Sequence, residues 1–86
     1  SSDLVAIVKI QDEVNENIGW TTPELACDQL TDKLSRKPTE AELSKTLLFL
    51  IKDSMLFHPA ESDPSMKGEA VKANEVKAIV KQYQKQ

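Results

Sequence analysis

Two helix-start signals constrain this chain more than any other feature in it. In Thr21-Thr22-Pro23-Glu24-Leu25, a threonine hydroxyl can accept a hydrogen bond from a backbone amide two or three residues on, and proline suits a first helical position. With Thr21 as the cap, the Glu24 carboxylate completes a capping box, and Trp20 and Leu25 stand at the positions of a hydrophobic staple. Thr22 as the cap with Pro23 first in the helix is the alternative. Pro38-Thr39-Glu40-Ala41-Glu42-Leu43 repeats the spacing, so another helix begins at Glu40.

Apolar periodicity fills in the segments between these starts. Leu4, Ile7, Val8, Val14 and Ile18, with Gln11 in the one polar gap, predict a first helix from Leu4 to Ile18, closed by Gly19 as a left-handed cap. The second carries Ala26, Cys27, Leu30 and Leu34 inward and stops at Arg36-Lys37-Pro38. The third, from Glu40 to His58-Pro59, presents Leu43, Leu47, Leu48, Phe49, Leu50, Ile51, Met55, Leu56 and Phe57, apolar around most of its circumference. Asp63-Pro64 opens a fourth, carrying Met66, Ala70, Ala73, Val76, Ile79, Val80 and Tyr83, with Gly68 fraying its first turn or moving its start to near Glu69. The expected fold is all-α: a compact bundle of about four helices packed around the apolar third, one domain over residues 1–86.

Composition narrows the classes of function. A chain of 86 residues buries only about 60 % of its unfolded surface, which leaves no room for a second core. A net charge of −3 and a pI near 5.1 work against affinity gained by neutralising phosphates, although a local basic face can overcome that. Cys27 is alone, so neither an internal disulfide nor a multi-cysteine metal site is expected, and a reducing, cytoplasmic location fits. No apolar run is long enough to span a bilayer, and Ser1-Ser2-Asp3 does not open a signal peptide, so no membrane association is expected.

Chemistry-bearing residues are few. His58 is the only histidine, and a nucleophilic pair would need it beside Ser54, Ser62 or Cys27. No glycine-rich oxyanion loop accompanies it, and a helix-end role beside the last carbonyls explains it as well. Cys27 on an inner stripe reads as a small hydrophobe. Asp12, Glu13 and Glu16, and Glu61 with Asp63, lack the alternation and central glycine of a calcium loop and read as solvated faces. The expectation is therefore a protein without enzymatic activity, cofactor or metal.

Binding is then the function to look for. Residues 34–43 resemble the R-x-P-T-x-x-E-L turn of bacterial sigma-factor helical regions; the likeness covers mostly cap chemistry and brings no function with it. Lys77, Lys81 and Lys85 recur at i+4 as a basic stripe. The leading expectation is a helical protein-interaction module (adaptor, inhibitor or regulatory subunit) binding another protein or a second copy. Its contacts would come from Phe57, Met55, Met66, Trp20, Tyr83, Lys77, Lys81 and Lys85. The alternative is a nucleic-acid-associated regulator, using Arg36, Lys37 and Lys81 around a helix-turn-helix-like unit. It ranks second because a recognition helix needs polar side chains on its exposed face, whereas the third helix turns apolar after its first turn.

Overall fold

The computed structural model describes residues 2–86, with side chains from Leu4 onward. Helix α1 spans Ser2–Glu16, α2 Pro23–Leu34 and α3 Glu40–Lys52. Strands β1 (Phe57–Pro59) and β2 (Lys67–Ala70) follow, then a 3-10 turn, Ala73–Glu75, that leads into α4 (Val76–Gln84). The chain is mostly helical, but the all-α expectation needs correction, because the segment between α3 and α4 is an antiparallel β-hairpin.

Where the signals are local, residues form the expected elements. Thr39 caps α3 with both halves of the box: its hydroxyl accepts from the Glu42 amide at 3.1 Å, and the Glu42 carboxylate accepts from the Thr39 amide at 2.8 Å. At α2 the alternative start holds. Thr22 is the cap, accepting from the Leu25 amide at a long 3.5 Å, and Pro23 stands first in the helix. Thr21 is buried instead and bridges Leu56 as an isolated β-residue, donating to the Met55 carbonyl (2.8 Å) and accepting from the Phe57 amide (3.0 Å). The Trp20–Leu25 staple does not form: Leu25 is 57 % exposed, and Trp20 packs edge-to-face on Phe57.

The expected stripe of α1 holds in part: Ile7 and Val14 face inward with Ala6 and Ile10, while Leu4 and Val8 are exposed, and the helix ends at Glu16, short of the exposed Ile18. Gly19 does adopt the left-handed conformation at φ 85°, donating back to the Val14 carbonyl.

Helix α3 is the centre of the core, packing against α1, α2 and α4 through Leu43, Thr46, Leu47 and Leu50. It ends at Lys52, short of the expected His58. Ser54 takes a left-handed conformation (φ 57°) that reverses the chain, so Met55 and Leu56 enter the core from a connector and Phe57 begins β1. The fourth helix likewise starts at Val76, neither at Asp63 nor near Glu69, which lies in β2. The Asp63 carboxylate instead accepts from the amide and hydroxyl of Ser65 to form the hairpin turn. Gly68, read as a weak helix position, is the residue where β2 crosses β1. A Cβ there would lie 2.6 Å from the His58 carbonyl oxygen. Phe57 pairs with Ala70 but Pro59 with Lys67, so the second strand holds one extra residue as a bulge.

Candidate binding surface

Helix α3 has two faces with opposite chemistry. Opposite its buried residues, Ala41, Lys45, Leu48 and Lys52 recur at i, i+4, i+7 and i+11, and all are exposed. Ser44 is half-buried at the stripe's edge. The helix is therefore not apolar all round: its outer stripe holds two lysines and no carboxylate. Of the neighbouring acids, Glu40 is exposed in the first turn beside Ala41, while Glu42 and Asp53 are engaged elsewhere. Glu42 receives both Arg36 guanidinium nitrogens at 2.8 and 2.7 Å as well as the Thr39 amide, and Asp53 accepts from the Gln11 side chain.

This arrangement sorts the residues singled out from sequence. Arg36 is committed to its two-pronged pair with Glu42 and braces the turn between α2 and α3, while Lys37 beside it is exposed. Met55 is buried and offers nothing to a partner; Met66 is 59 % exposed on the hairpin loop. Trp20 and Phe57 form one half-buried cluster, ring centroids 6.3 Å apart, with the Lys67 ammonium 4.6 Å above the Phe57 ring. Tyr83 is half-buried against the core and donates its hydroxyl to the Asp28 carboxylate at 2.6 Å, which pushes the phenol's pKa up. Lys77, Lys81 and Lys85 are exposed on α4 and its C-terminal cap, and none takes part in an ion pair among the described residues.

Sequence reasoning missed the α3 stripe because Leu48 and Phe49 hid the alternation of inward and outward positions. The spacing of Lys45 and Lys52, seven residues apart, was the available signal. Also unanticipated were the exposed aliphatics Leu4, Val5 and Val8 at 42 %, 55 % and 52 %, grouped on the outer side of α1.

His58 and Cys27 do line one cleft, of about 490 Å³, between the start of α2, β1 and α4. Burial, with Asp28 and Glu24 adding to it, pushes the Cys27 thiol up to about 12, so it holds its proton at neutral pH and is a poor nucleophile. The His58 Nε2 lies 2.7 Å from the Glu75 carboxylate, which also accepts the Lys72 amide; these bonds hold Glu75 below the usual carboxylate range. The pair ties β1 to the turn preceding α4. Among the described residues, no group of three or more histidine, cysteine or acidic side chains is placed to hold a metal ion, and no helix is long and apolar enough to cross a membrane.

Compared with protein-family models, curated proteins and solved structures, the chain matches none of them, so its function rests on its own surface.

Proposed function

We propose that the chain is a non-enzymatic helix-turn-helix module that docks on duplex nucleic acid, with α3 as the inserted helix. The observation that carries this reading is the outer stripe of α3. A capped helix that follows α2 and a braced turn presents Ala41, Lys45, Leu48 and Lys52 to solvent, and a hairpin follows it in the chain. The stripe answers the objection raised by the sequence pattern, that the third helix turns apolar after its first turn. Lysine suits guanine edges and phosphates, and Ala41 and Leu48 suit a thymine methyl group. The net charge of −3 is compatible with this because half of the acids sit on α1 and α2, and beyond α2 the lysines and arginine outnumber the acids, nine to seven.

Anisotropy of a fluorescent duplex tests the reading. Binding at low ionic strength should weaken as salt is added, and Lys45→Glu with Lys52→Glu should lower affinity tenfold or more, roughly the cost of removing two cations from a phosphate-bearing interface. Binding that the double variant leaves unchanged would remove α3 from the interface.

The exposed aliphatics Leu4, Val5 and Val8 favour a second reading, in which α1 meets another protein or a second copy of the chain. Sedimentation over a wide concentration range tests the self-association arm. A mass that rises with concentration and falls back in Val5→Lys/Val8→Lys supports it, and a monomer throughout counts against it.

A further inference from the structure

We infer that the cleft between the start of α2, β1 and α4 binds a small organic cation, an amine carried on an apolar body. Its volume of about 490 Å³ lies within the range of small-molecule sites, roughly 300–1,000 Å³. Pro23, Pro59, Ala78, Ile79 and the Tyr83 ring give it apolar walls, and Cys27 is the one buried residue among those lining it. These walls are fixed before any ligand arrives. Thr22 caps α2, the His58–Glu75 pair ties β1 to the turn before α4, and the Tyr83 hydroxyl bonds to Asp28 at 2.6 Å. A preformed hollow spares a ligand the cost of ordering it. No residue of α3 lines the cleft, so this assignment stands or falls apart from the duplex reading.

The charge around the cleft selects the class of ligand. Its lining holds the Glu24 carboxylate and neither lysine nor arginine, and any charge on His58 is matched by Glu75 at 2.7 Å. The Cys27 thiol reports the resulting field from inside: after burial, the groups that most oppose its ionisation are Asp28 and Glu24. A potential that resists an anion at this depth favours a cation there. The start of α2 does not reverse this preference, because Pro23 has no amide, and the amides of Leu25 and Ala26 are taken by the Thr22 hydroxyl and carbonyl. Tyr83 adds an aromatic ring to the wall, a favourable neighbour for an ammonium group.

The experiment titrates isotope-labelled protein at neutral pH with phenethylamine, with the uncharged phenethyl alcohol and with the anionic hydrocinnamate, reading amide shifts at Cys27, His58 and Ile79. The amine should bind with a dissociation constant on the order of 1 mM, as so small a fragment allows. It should bind roughly threefold or more tightly than the alcohol, with the carboxylate weakest, a margin set by one partly exposed ion pair. Glu24→Gln should lower the amine's affinity by about that factor and leave the alcohol's unchanged. Ala78→Phe, at an exposed position of α4, should fill the cleft and abolish binding of all three, with circular dichroism confirming the fold of each variant. Hydrocinnamate binding most tightly, or an amine affinity that Glu24→Gln does not change, overturns the cationic assignment. Shifts that persist in Ala78→Phe put the amine elsewhere on the protein and overturn the site, as does a spectrum that millimolar amine leaves untouched.

Discussion

Leu47 and Leu48 are chain neighbours on α3 with opposite environments: Leu47 is fully buried in the core, and Leu48 is 44 % exposed on the outer stripe. A helix that turns 100° per residue around a core on one side imposes this contrast. Leu47→Ala should cost about 2–5 kcal/mol, from lost burial and the cavity left behind. Leu48→Ala should cost under about 1 kcal/mol, as expected of a side chain half in water. Urea denaturation of the two variants checks this, and equal losses would mean that the face assigned to α3 is wrong.

The hairpin depends on Gly68, since any side chain there meets the backbone of β1 at His58 and Pro59 and that of Ala60 just beyond it. Gly68→Ala is expected to destabilise the protein by about 1–3 kcal/mol, the usual cost of forcing an added carbon into a packed site. A thermal melt no lower than wild type would show that the strands do not approach this closely.

Legibility followed the range of the interaction. The Thr39–Glu42 box spans four consecutive residues, and chemistry that local is visible in sequence. The end of α3 is not, because Leu47 to Phe57 reads as one apolar helix and the reversal falls on Ser54, a residue with no strong left-handed preference. The hairpin escaped detection for a related reason. Its strands are three and four residues long, and Asp63-Pro64 serves a turn as readily as a helix start. The Thr21–Leu56 bridge joins residues far apart in the chain, so no periodicity could announce it. At the candidate surface, Lys77, Lys81 and Lys85 were legible as a stripe, whereas Lys45 and Lys52 became one only once the buried face of α3 was fixed.

The two threonine caps differ in geometry and should differ in worth. Thr39→Ala removes a 3.1 Å bond within a complete box and is expected to cost about 1 kcal/mol. Thr22→Ala removes only a 3.5 Å bond and should cost less. Chemical denaturation of the pair checks the order, and a larger loss at Thr22 would contradict it.

Glu75 and Cys27 bend the dependence of stability on pH at opposite ends. The folded pKa of Glu75 lies below its ordinary 4.5, so its contribution is present above that value and is lost as pH falls through the lowered one. Glu75→Gln should flatten the acid side of the stability profile. Cys27 rises from 9.0 to about 12, so its contribution holds below pH 9 and is lost as pH climbs toward 12. At pH 8 a thiol reagent should therefore label Cys27 only as fast as the protein opens, with labelling accelerated by urea. Rapid stoichiometric labelling of native protein would contradict this burial.

The most direct test of duplex docking through α3 is a map of backbone amide shifts as a short DNA duplex is added to isotope-labelled protein at low salt. The expected result is a set of changes concentrated at Ala41, Lys45, Leu48 and Lys52, with α1 undisturbed. Changes confined to Leu4, Val5 and Val8, or a spectrum that duplex leaves untouched, would contradict it.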